Sequence, residues 1–123
     1  MPMSQVLLLD DDDDLREIAA DLLSLAGVEC VGLPSYSALV ALGERALEAQ
    51  LAILDINLGP GTESGLDAYA WLRKHKFSRK IVFLTGHARL NALVREAHRL
   101  GDVRVIEKPI SPEALVNLAL EAP

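Results

Sequence analysis

Five polar side chains stand where short apolar runs end: Asp10 and Asp11, Asp55, Thr85 and Lys108. The runs are QVLLL (5–9), LAIL (51–54), KIVFL (80–84) and VRVI (103–106). Such runs read as buried parallel strands. In open α/β sheets, ligands sit beyond the carboxyl ends of the strands, at the topological switch point. Three carboxylates converging there repel one another unless a cation neutralises them. A hard divalent ion with few protein ligands and several waters fits Mg²⁺ better than Ca²⁺, with Mn²⁺ as the alternative. A lysine and a hydroxyl beside such an ion suggest a phosphoryl group as the remaining ligand, its charge shared by the metal and Lys108, with Thr85 donating a hydrogen bond. No external nucleophile is evident, so an aspartate carboxylate is the natural acceptor.

The elements that must carry these side chains alternate. After the first run, Leu15, Ile18, Ala19, Leu22, Leu23 and Ala26 recur at helical spacing and Gly27 supplies a stop. VECVGL (28–33) alternates like a second strand, and Pro34-Ser35 open a weaker helical stretch to about Leu47. A Gly/Pro loop (59–65) leads into a helix over 66–74. Leu90, Leu93, Val94 and Ala97 mark a fourth helix closed by Gly101. Ser111-Pro112-Glu113 starts a fifth helix, with Leu115, Leu118 and Ala119 as its inner face. Strict alternation with short connections predicts right-handed crossovers and a doubly wound five-stranded parallel sheet of α/β class.

Length and composition bound the rest. With 123 residues, one domain over 1–123 is expected, without an output domain. Half the residues are hydrophobic and 24% are charged, which excludes disorder. No apolar run approaches the ~20 residues that span a bilayer. There is no signal-peptide pattern, and Cys30 is the single cysteine, so a cytoplasmic location and no membrane association are expected. A net charge of −6 with five aromatic residues argues against nucleic acid as a partner. Five of the eighteen acidic residues are Asp10 to Asp14. Asp12, Asp13 and Asp14 read as an acidic helix entrance, with Asp13 or Asp14 as the cap. An EF-hand is rejected because Leu15 stands where its loop needs glycine, and GPGTESG is neither a P-loop nor a nucleophile elbow.

VLLLDD (6–11), LAILDIN (51–57), IVFLTG (81–86) and VIEKP (105–109) occur in order on the expected elements. Thirty residues separate Asp55 from Thr85, and twenty-three separate Thr85 from Lys108. In these pieces the chain resembles the receiver domains of two-component response regulators, of chemotaxis-regulator type. The resemblance implies a flavodoxin-like (βα)5 fold with strand order 2-1-3-4-5. It makes Asp55 the phosphoacceptor, fed by a histidine kinase or histidine phosphotransfer protein. Asp11 would bind Mg²⁺ directly, Asp10 mainly through a metal-bound water, and Asn57 through its backbone carbonyl. Thr85 and Lys108 would contact the phosphoryl oxygens, and the Lys108–Pro109 peptide would be cis. The face of helix four, strand five and helix five would meet the downstream protein, the chain being a monomer or weak dimer. Catalysis would be confined to the domain's own phosphorylation and dephosphorylation.

Departures from that pattern carry their own expectations. Val105 stands where the family usually has a switch aromatic, so the signal is expected to travel through backbone shifts of the strand-four loop and helix four. The loop after Asp55 is about two residues longer than usual, and His87 and Asn57 occupy positions that tune kinetics. A pseudo-receiver, binding partners without phosphate, is the alternative; Val105 and the loop support it, and the intact Asp11, Asp55, Thr85 and Lys108 oppose it. The basic run RKHKFSRK (73–80) reads as a solvated helix end, and Tyr69 and Trp71 as partial core.

Overall fold

Parallel pairing of the apolar runs builds the sheet. The computed structural model describes residues 4–59, 61, 63–86 and 92–121. Strands β1 (Ser4–Leu9), β2 (Val28–Leu33), β3 (Leu51–Asp55), β4 (Lys80–Thr85) and β5 (Val103–Glu107) form one sheet in the order 2-1-3-4-5. Every neighbouring pair is parallel. Helices α1 (Asp13–Leu25), α2 (Tyr36–Leu42), α3 (Gly65–Lys74), α4 (Ala92–Arg99) and α5 (Pro112–Glu121) alternate with the strands. The expected α/β class and strand order both hold.

The sheet is buried on both faces, which is why its central strands are continuously apolar. Val6, Leu8, Leu51, Ile53, Val82 and Leu84 pack on one side with Ala19 and Leu23 of α1 and Leu115 and Leu118 of α5. Leu7, Leu9, Ala52, Leu54, Ile81 and Phe83 pack on the other with residues of α2, α3 and α4. Alternation along each strand fixes where the polar ends fall. Leu9 pairs with Leu54 across β1 and β3, so the next residues, Asp10 and Asp55, come side by side at the switch point of the strand order.

Two local expectations are corrected. Neither Asp13 nor Asp14 caps α1: Asp12 is extended, and its carboxylate accepts from Leu15 N at 3.1 Å. The acid one step earlier wins because the cap residue must stand outside the helix with its side chain folded back onto the third amide. The second helix does not run unbroken to Leu47. It ends at Leu42, where Gly43 turns to φ 64°, and a 3-10 turn (Gly43–Glu48) follows. Elsewhere, Ser64 and Asp67 form a reciprocal capping box at the start of α3. Ser111 Oγ accepts from Ala114 N at 3.1 Å at the start of α5.

Candidate functional site

Asp10 is fully buried directly after β1, Asp55 is buried as the last residue of β3, and Thr85 is buried as the last of β4. Asp11 is exposed at the mouth. Carboxylate oxygens of Asp10, Asp11 and Asp55 all lie within 4.8 Å of one another. Lys108, one residue past β5, reaches across the strand ends, its Nζ 2.9 Å from Asp10 Oδ2 and 3.1 Å from Asp55 Oδ2. Main-chain bonds hold the approach: Lys108 N donates to Thr85 O at 2.7 Å, which ties the lysine to the end of β4. The Lys108–Pro109 peptide is cis, as expected.

The remaining lone pairs are partly satisfied. Asp10 Oδ1 accepts from Asp12 N at 3.0 Å, and Asp55 Oδ1 accepts from Asn57 N at 3.2 Å. Asp10 Oδ2 is buried and is met by the Lys108 ammonium at 2.9 Å, a charge-assisted contact. Burial and the neighbouring Asp10 charge push the Asp55 carboxyl up to about 6, against the opposing pull of Lys108 and the Asn57 amide. Lys108 itself is raised: burial works to lower it, and contact with Asp10 and Asp55 outweighs burial. One lysine thus faces three acids. Three carboxylates gathered beside a single ammonium leave an excess of negative charge on a cluster of hard oxygen ligands, which fits a divalent cation.

The other anticipated residues fall as follows. Asn57 is exposed in the loop after β3, its amide on Asp55 and its side-chain oxygen accepting from Gly59 N at 3.1 Å. Val105 is half-buried in β5 and pairs with Phe83 of β4. His87 and most of the strand-four loop lie outside the described residues, as do Pro60 and Leu90. Trp71 and Tyr69 are half-buried against the core, as expected. Trp71 stacks on His75, and the Tyr69 ring lies 6.0 Å from that of Phe83.

Two contributors were not foreseen. Arg16 of α1 donates from Nη1 to the Asp10 carbonyl at 2.7 Å and pairs with Asp13. Gly65 lets α3 start against the end of β3, since a methyl there would press on the Asp55 carbonyl and stand 2.9 Å from Ile56 Cα. The sequence signal for Gly65 was a glycine ending a loop; for Arg16 it was only an arginine five residues beyond Asp11.

The family model described as the response regulator receiver domain matches residues 6–120. An NtrX-like response regulator of Rickettsia bellii is 32% identical over 99% of this chain, which spans 25% of that protein. The transcriptional regulatory protein FixJ of Azorhizobium caulinodans is 32% identical over 94% of this chain and 54% of its own length. The chain therefore spans between a quarter and about half of these relatives. Among solved structures, the receiver domain of NtrX from Brucella abortus superposes with a TM-score of 0.78 at 30% identity, covering 95% of this chain and 96% of that one.

Proposed function

The chain belongs to the response regulator receiver domain family, and from that premise we propose that Asp55 is its phosphoacceptor, charged by a phosphohistidine partner. The observation that carries the assignment is Lys108 bridging Asp10 and Asp55 at the carboxyl ends of β1 and β3. An oxygen of ionised Asp55 attacks the phosphorus; the P–O bond forms, the P–N bond breaks, and the imidazole leaves to take a proton. Lys108 then transfers its ion pairing to the new phosphoryl oxygens, and the Thr85 hydroxyl donates to another. Water later attacks the phosphorus of the acyl phosphate, the bond from phosphorus to the Asp55 oxygen breaks, and inorganic phosphate leaves as the carboxylate is restored. The chain's part is to hold these groups and their charge in place, so the domain acts on itself and turns over no metabolite.

Asp10, Asp11 and Asp55, with the Asn57 carbonyl, would hold Mg²⁺. When bound, the ion supplies positive charge that offsets carboxylate and phosphoryl repulsion. With no ring at Val105 to rotate, the signal passes through backbone shifts of the strand-four loop and α4 to the α4–β5–α5 face. Arg95, Arg99 and Arg104 are exposed there for a downstream protein. NMR shifts on activation are expected across residues 88–104; changes confined to the pocket would refute that route.

Intact mass after acetyl phosphate and Mg²⁺ tests the acceptor. One phosphoryl adduct, absent from Asp55→Asn and absent without metal, is expected. An adduct that survives Asp55→Asn would move the acceptor elsewhere, and none at all would leave a phosphate-independent binding module.

A further inference from the structure

We propose that Arg16 is a positioning residue for the acidic cluster, setting the orientation of Asp11 through the main chain; this rests on the reading of the cluster as a cation site. Asp11 is exposed, so packing does not set its direction. Its orientation must come from the backbone that carries it. The Asp10 carbonyl and the Asp11 nitrogen share one rigid peptide plane. Arg16 Nη1 donates to that carbonyl at 2.7 Å, so the guanidinium fixes the plane from which Asp11 projects.

The other end of the guanidinium is fixed as well. Nη2 pairs with Asp13 in the first turn of α1. The stem lies along β2, where a methyl on Gly32 would meet Arg16 Cδ at 3.4 Å. The turn is closed from within by Asp12 N donating to Asp10 Oδ1 at 3.0 Å. A planar fork can serve a carbonyl and a carboxylate together, which an ammonium does less well.

Charge and positioning predict opposite signs. Arg16 is a cation beside a cation site, so removing its charge by itself strengthens Mg²⁺ binding. If its role is to hold the Asp10–Asp11 peptide, removal weakens binding. The test is calorimetric Mg²⁺ titration of the full chain, with amide exchange of Asp12 measured in metal-free protein.

For Arg16→Gln we expect binding about tenfold weaker, the size of one charge-assisted hydrogen bond, and faster Asp12 exchange. Arg16→Lys is expected to recover part of both. Arg16→Gln binding as tightly as wild type, or more tightly, overturns the inference. If Arg16→Gln does not fold, Arg16→Lys decides alone: weaker binding with faster Asp12 exchange supports the role, and no change in either overturns it. A wild-type chain that binds no Mg²⁺ overturns the cation-site reading and this inference with it, whereas equal binding by wild type and variant overturns the inference only.

Discussion

Asp55 is an acid the fold holds against its preference. Its carboxyl is raised to about 6 by burial and by Asp10, more than Lys108 and the Asn57 amide can offset. An unfolded aspartate titrates near about 4. Between those values the native state keeps a proton that the unfolded chain has released. Metal-free stability therefore falls as pH rises through about 4 to 6, and the cost is complete above about 6. Asp55→Asn removes the ionisation and keeps the shape. In urea without metal, the variant is expected to be more stable than wild type by about 1–3 kcal/mol near pH 7.5. The gap should close near pH 4; a gap that persists there would place its cause in packing.

Elements place that acid, and the tightest junction lies between β3 and α3. Gly65 N donates to Ile56 O at 2.9 Å, and a Cβ at Gly65 would meet main-chain atoms of Asp55 and Ile56, which cannot swing aside as a side chain would. Gly65→Ala is expected to cost about 1–3 kcal/mol in urea unfolding, as overpacking does. It should also slow acetyl-phosphate labelling in the folded fraction, because relief of the clash moves Asp55. On the far side of α3, Tyr69 Oη donates to both carboxylate oxygens of Asp102 at 2.8 and 2.9 Å, and Arg73 Nε donates to Asp102 at 3.2 Å. Arg73 also lies 5.3 Å from the Tyr69 ring centre and donates to the carbonyls of Phe77 and Arg79. Burial, then Asp102, raises the Tyr69 phenol. Asp102→Ala is expected to cost about 1 kcal/mol and to lower the phenol's midpoint in spectrophotometric titration; an unchanged midpoint would assign the whole rise to burial. The central strands β1, β3 and β4 were legible because both faces are buried and their runs are unbroken, and β2 by its alternation. The break at Gly43 was not, since Leu39, Leu42, Ala46 and Leu47 keep helical spacing through it. Nor was the α1 cap, because each of several consecutive aspartates could accept from the amide three residues further on.

Across the whole molecule, three carboxylates collect at one end of the sheet in a chain that already carries a net charge of −6. The main members of the site could be read in advance because each ends a strand, and the strand order brings β1 beside β3. Arg16 and Gly65 could not, because they act on main-chain atoms, and the Tyr69–Asp102 pair links residues thirty-three apart. The fold thus carries a local electrostatic cost that a bound cation would offset. Because only the native state gathers the three acids, Mg²⁺ should stabilise the entire chain by linkage, about 2.7 kcal/mol at a hundredfold excess over Kd. Screening of the overall negative charge by salt would also stabilise, though without saturating at one site. The two separate in thermal melts against Mg²⁺ and against sodium chloride at matched ionic strength. Wild type is expected to gain much more from Mg²⁺ than from sodium chloride. Asp11→Asn, which leaves the Asp10–Lys108–Asp55 bridge in place, should respond nearly alike to both. Equal gains from the two salts in wild type would assign the stabilisation to screening and remove the cation from the site.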